Sequence, residues 1–243
     1  MAISGYRVGL TCLAAGTSVL LAAALAGPAS AATASAASFP HFNHARHSDQ
    51  IWGGYADTGA TFTSISGAWT VPTLACSSTT DSYVSPWIGI DGWSSDTVEQ
   101  IGFDQDCENG AAGYYPWVEM YPADSIYFTE TVAAGDHITA SVSVSGTSWT
   151  LNEQDTTQGW SKTYHESGSD DESSAEAIVE DLGDGIPAVA DFGSITFTGL
   201  TANGESLASA GTVNSTDIER GSTPLTENST LSGGTFTLSW LHS

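Results

Sequence analysis

The chain has 243 residues, of which 28 are acidic and only four basic, a formal net charge of −24. Affinity for a nucleic-acid backbone rests on Lys and Arg neutralising phosphates, so nucleic acid is excluded as a partner. Self-repulsion of this size stresses the compact state at neutral pH and eases as carboxylates protonate near pH 4, which fits either a protein that works in acid or an adaptation for solubility.

Residues 1–31 read as a secretory signal peptide. Arg7 gives a positive start, residues 10–25 are an apolar run rich in Ala and Leu, and Ala29-Ser30-Ala31 is a small-x-small cleavage site. The run is shorter than the roughly 20 residues of a membrane span, and no second one follows. The expected product is secreted, extracellular and without a membrane anchor. Residues 32–48 begin Ala/Ser-rich and then carry His41, His44, Arg46 and His47, the pattern of a linker or short pro-segment. Residues 49–243 remain as one domain, within the size of a single all-β fold. Cys12 leaves with the signal peptide, so Cys76 and Cys107 stay as an even pair in an oxidising compartment and are expected to be bridged.

Short runs of β-branched and aromatic residues follow, broken by Gly, Ser, Asp and Pro. They predict strands over 52–57, 62–71, 82–89, 97–103, 114–121, 126–132, 137–144, 148–153, 161–164, 175–180, 195–200, 211–218 and 235–241. No long helix-period segment interrupts them. The fold class is therefore all-β, an antiparallel sandwich of the jelly-roll or concanavalin-like kind.

Four of these segments carry candidate chemistry. Pro86-Trp87-Ile88-Gly89-Ile90-Asp91-Gly92 ends a strand in an Asp-Gly turn, with Asp91 where the chain leaves the sheet. In Val98-Glu99-Gln100-Ile101, Gln100 lies on the face opposite Glu99, and its amide can serve an oxyanion without titrating. Alternation puts Tyr115, Trp117, Glu119 and Tyr121 on one face, a carboxylate in an aromatic wall. In 175–181, Glu176, Ile178 and Glu180 share a face, with the two glutamates about 13 Å apart along the strand. Each segment taken alone also fits a turn, a core ring or a solvated strand face. No Gly-x-Ser-x-Gly elbow, His-Glu-x-x-His or paired Cys-x-x-Cys stands in the sequence.

Taken in order, Trp52-Gly53-Gly54, Trp69-Thr70-Val71-Pro72, Trp87-Ile88-Gly89-Ile90-Asp91-Gly92, Glu99-Gln100-Ile101-Gly102, Trp117-Val118-Glu119-Met120-Tyr121-Pro122 and Ala175-Glu176-Ala177-Ile178-Val179-Glu180-Asp181 resemble the glutamic peptidases called eqolisins. The resemblance spans residues 52 to about 200. It departs at Glu99 and Ile101, where the family usually has an aliphatic residue and Thr around its glutamine, and it fades after residue 200. It implies a two-sheet sandwich with a concave substrate groove and an acid endopeptidase that needs no metal or organic cofactor. Gln100 and Glu180 would be the catalytic pair, with Asp91 and Glu119 as supporting acids and Trp87 and Trp117 as groove aromatics. The partner would be a protein or peptide substrate, and the chain a monomer. A non-catalytic, lectin-like sandwich is the alternative from another class. A polysaccharide hydrolase using Glu176 and Glu180 ranks third, because their separation exceeds the roughly 5–9.5 Å between carboxyls in such enzymes.

Overall fold

The alternation in the sequence becomes two stacked antiparallel sheets. The computed structural model describes residues 51–182 and 188–242, together with Met1. The signal peptide, the linker or pro-segment with its His41, His44, Arg46 and His47, and Gly183 to Pro187 after the glutamate-bearing strand lie outside the described residues. No helix occurs among the described residues.

In chain order the strands are β1 (Trp52–Thr58), β2 (Ser64–Thr70), β3 (Ser82–Ile90), β4 (Val98–Glu108), β5 (Ala111–Tyr121), β6 (Ile126–Tyr127), β7 (His137–Ser145), β8 (Ser148–Asp155), β9 (Trp160–Ser167), β10 (Ser174–Glu180), β11 (Ser194–Ala202), β12 (Glu205–Ser206), β13 (Thr212–Thr216), β14 (Glu219–Arg220), β15 (Thr223–Pro224), β16 (Thr226–Asn228) and β17 (Phe236–Trp240). The first sheet runs β13-β1-β10-β3-β4-β5-β6 and the second β16-β17-β11-β2-β7-β8-β9, with β12 beside β11 and a separate β14-β15 pair.

The inner faces of the two sheets meet in one core. Ile88, Ile101, Val118 and Ala177 come from the first sheet, and Trp69, Ile138, Val142, Leu151, Phe197 and Phe236 from the second. Trp69 stacks on Phe103 across the sandwich at 6.0 Å, and Phe197 lies 5.3 Å from Trp69 and 5.1 Å from Phe236. Rings at these separations add to what their buried area contributes. A second, smaller apolar cluster of Trp52, Trp87, Val98, Trp117 and Ile178 forms apart from that core, all five on the outer face of the first sheet. A strand buried on one face only would not need it.

Two expectations are corrected. The predicted strand over 126–132 keeps its pairing only at Ile126–Tyr127, because the chain leaves the first sheet there to begin β7 in the second. The strand predicted to start at 114 begins at Ala111, because Asn109 and Gly110, both at positive φ (50° and 82°), make a two-residue turn that lets Glu108 pair with Ala111.

Cys76 and Cys107 form the expected disulfide, with a sequence separation of 31. The closed loop contains all of β3 and β4 up to Cys107, including Trp87 and Gln100. Replacing both cysteines by serine should lower stability by about 3–4 kcal/mol, read from urea unfolding. Thiol titration of the unreduced, unfolded chain lacking residues 1–31 should find no free thiol, and two would contradict the bridge.

Candidate active site

Strand β10 lies inside the first sheet between β1 and the central strand β3, and its register decides which side chains meet. Residues Gly89 to Ile90 of β3 pair with Glu176 to Ala175, and Gly89 also pairs with Gln100 of β4, which in turn pairs with Glu119 of β5. Glu176, Gly89, Gln100 and Glu119 therefore form one row across four strands. The next row on the same face holds Ile178, Trp87, Gly102 and Trp117, and the row beyond it holds Glu180 and Ser85. With strands about 4.8 Å apart, Glu176 and Gln100 stand roughly 10 Å apart at their Cα atoms and point the same way.

Two glycines make room on this face. A Cβ at Gly102 would lie 2.6 Å from the Trp87 Cβ, so Trp87 can lie over that strand only because Gly102 has no side chain. A Cβ at Gly89 would meet Trp87 Cζ3 at 3.0 Å and Gln100 Cβ at 3.1 Å. Gly89 thus puts no side chain of its own between Gln100 and Glu176, and the Trp87 ring edge reaches over it.

Gln100 is oriented from one side. Its Nε2 donates to Glu119 Oε2 at 2.7 Å, and Ser125 Oγ donates to the other oxygen of Glu119 at 3.0 Å. An NH2 group has two hydrogens and Glu119 takes one. Gln100 Oε1 is turned away from Glu119 and has no hydrogen-bond partner among the described residues. The same holds for both carboxyl oxygens of Glu176. Both side chains are 0% exposed. Unpartnered buried polar atoms are costly, and three of them in one row mark a place built for something that supplies hydrogen bonds. Burial pushes the Glu176 carboxyl well above its ordinary range; the nearby Ser174 hydroxyl opposes this, and the charges of Asp91 and Glu99 add to it.

The tryptophans are held by their indole N–H groups. Trp87 Nε1 donates to Glu180 Oε2 at 2.9 Å, and Trp117 Nε1 donates to Ser85 Oγ at 3.1 Å. Ser85 Oγ donates in turn to Asp104 at 2.8 Å, and Asp104 also accepts from the Tyr127 hydroxyl. Trp52 meets Trp87 edge-on at 4.9 Å.

Of the residues singled out in the sequence, Gln100, Glu119, Trp87, Trp117 and Glu180 all lie on this outer face. Asp91 lies at the end of β3, where its carboxylate accepts the Glu172 N–H at 2.8 Å and the Ser173 N–H at 2.7 Å, so it braces the turn into β10. The register sets Gln100 opposite Glu176, whereas Glu180 is two rows away and bonded to Trp87. Alternation along β10 gave both glutamates the same face. Gly89 on the neighbouring strand was the available sign of which one faces the glutamine.

Comparison with known proteins gives concordant matches. Residues 50–240 match the model of the Peptidase A4 family. The chain is 33% identical over 218 residues to aspergillopepsin-2 of Aspergillus niger, covering 78% of this chain and 77% of that one. Among solved structures, scytalido-glutamic peptidase with a peptide-based transition-state analogue superposes with a TM-score of 0.68 at 29% identity, covering 79% of this chain and 98% of that one. Aspergilloglutamic peptidase from Aspergillus niger superposes with a TM-score of 0.59 at 35% identity, covering 66% and 99%.

Proposed function

From the membership of this chain in the Peptidase A4 family, and with it the activity of a glutamic-type acid endopeptidase, we propose that Glu176 and Gln100 are the catalytic pair. The observation that carries this reading is the row in which their unpartnered oxygens flank the gap at Gly89. The matches to peptidases disfavour the lectin-like alternative.

A water in that gap donates to Gln100 Oε1 and to ionised Glu176. As the water oxygen attacks the peptide carbonyl carbon, Glu176 takes its proton, and the second N–H of the Gln100 amide stabilises the oxyanion. Neutral Glu176 then protonates the leaving nitrogen as the C–N bond breaks, which restores the carboxylate and yields an acid and an amine. Burial makes Glu176 a stronger base than a surface glutamate while thinning its ionised population in acid. The bound water is the donor that the ionised form needs.

Trp87 and Trp117, both fully buried in the apolar cluster beside this row, pack the strands that carry it. Their indole hydrogen bonds fix the ring planes, so Glu180 acts as a positioning residue for Trp87 rather than as the base. Glu119 fixes the Gln100 amide, and Asp91 acts through the turn that carries β10. The peptide-bound state of scytalido-glutamic peptidase supports a peptide ligand here. The leader pattern supports a secreted, extracellular enzyme, and among the described residues no helix is long and apolar enough to cross a membrane. The reading takes the enzyme as a monomer acting on protein or peptide substrates without a cofactor.

Substituting Gln100→Ala should cut kcat on an internally quenched peptide at about pH 3–4 by roughly 10²–10³ with KM little changed, as loss of an oxyanion donor does. An unchanged kcat would remove Gln100 from the mechanism.

A further inference from the structure

Glu99 is a buried acid that the mechanism does not use. It pairs with Ile90 in the β3–β4 register, which brings it beside Asp91. Asp91 holds a left-handed φ of 70°, and Glu172, which it contacts, one of 52°. The Asp91 carboxylate accepts Glu172 N–H, Ser173 N–H and Ser173 Oγ–H at 2.7–2.8 Å, and Asp91 N–H donates to the Ser174 carbonyl at 3.0 Å. These contacts fix the turn just ahead of Glu176. Glu99 is 1% exposed, and its Oε2 has no hydrogen-bond partner among the described residues.

The titratable groups that bear on Glu99 are Asp91 at the end of β3 and Asp170 in the segment before β10, and Glu176 on β10 feels the Glu99 charge in turn. The Thr97 hydroxyl is its one neighbour that favours the charged form. A carboxylate cannot donate to another carboxylate, but a neutral carboxyl can. We propose that Glu99 is a proton-dependent latch on the catalytic strand: as a neutral acid it hydrogen-bonds Asp91 and steadies the turn that positions Glu176, and on ionising it repels Asp91 and loosens that turn. The inference rests on the assignment of Glu176 above and concerns the regulation of that site.

Burial first, then the charges of Asp170 and Asp91, raise Glu99 to about 10. The sign follows from linkage. In the unfolded chain a glutamate ionises near pH 4.3, while in the fold Glu99 keeps its proton far above that. Below about pH 4 the group therefore has no cost, and above it the folding equilibrium loses about tenfold per pH unit until Glu99 titrates in the fold.

Two variants test this. Glu99→Gln is neutral and keeps a donor, and Glu99→Leu is neutral with none. Glu99→Gln should retain wild-type turnover at about pH 3–4, where the wild-type side chain is also neutral, while Glu99→Leu, which cannot donate to Asp91, should turn over more slowly. Urea unfolding at successive pH values should show the folding constant of both rising relative to wild type by about tenfold per pH unit above about pH 5. Hydrogen exchange at the Glu172 and Ser173 amides, corrected for intrinsic rate, should stay slow in Glu99→Gln at a pH where the wild type has lost protection. It should be faster in Glu99→Leu than in Glu99→Gln at every pH, whereas equal protection in the two would overturn the hydrogen bond to Asp91. Variants that track the wild-type folding constant across the range would overturn the proposal. So would a gain in stability of Glu99→Gln with no gain in protection at Ser173, which would leave Glu99 a buried acid uncoupled from the turn. None of these folding and exchange results depends on whether Glu176 is catalytic, which turnover of Glu176→Gln decides separately.

Discussion

Raising the pH from about 4 to 8 should unfold this protein, with tryptophan fluorescence and near-ultraviolet circular dichroism changing together and recovering on re-acidification. Glu153 on β8 is completely buried with both oxygens unpartnered among the described residues, and burial, then the charge of Asp155, pushes it well above the ordinary carboxyl range. Glu176 is raised in the same way, Glu99 to about 10 and Asp57 to about 6, in each case first by burial. All four have folded values above their unfolded ones, so their neutral forms are compatible with the fold in acid and penalise it as pH rises from the unfolded value towards the folded one. Each group subtracts about 1.4 kcal/mol per pH unit over that window. For Glu99 alone the penalty between about pH 4.5 and 7 is about 3 kcal/mol, a large share of the roughly 5–15 kcal/mol that holds a typical domain together, and Glu153 and Glu176 add to it in the same direction. Self-repulsion of a chain with 28 acidic residues adds to it. Activity confined to acid then follows from the fold, because the chemistry by itself gains ionised Glu176 as pH rises. A stability profile flat to pH 8 would show that these carboxyls ionise in the fold without cost.

Much of this was legible along the chain because period-2 alternation is local. It put Gln100 opposite Glu99, grouped Trp117 with Glu119, and set Glu176 and Glu180 on one face. The disulfide was legible from the cysteine count. What alternation could not give was register between strands far apart in sequence: Gln100 meets Glu176 only because β3 lies between β4 and β10 with Gly89 at the crossing. Resemblance to a family pointed to Glu180, the second glutamate of its motif, whereas the proposal of Glu176 rests on the cross-strand row. The resemblance makes Asp91 a supporting acid, whereas its hydrogen bonds go to the backbone of a turn 81 residues away, as its place in an Asp-Gly turn at a strand end also allows. The short strands β12 and β14 to β16 are too brief to leave a periodic signal.

The second large effect is expected at Glu176. Glu176→Gln keeps the volume and a hydrogen-bonding head but cannot take a proton from water or return one to the leaving amine, so kcat should fall by at least about 10³. Glu180→Gln retains an oxygen to accept the Trp87 N–H, so turnover should stay within about threefold of wild type, with the change falling mainly on KM. The most direct measurement is kcat for these two variants side by side with wild type, on one internally quenched peptide at about pH 3–4, with circular dichroism confirming that all three are folded. The account predicts a silent Glu176→Gln and an active Glu180→Gln; an active Glu176→Gln beside a silent Glu180→Gln would contradict it.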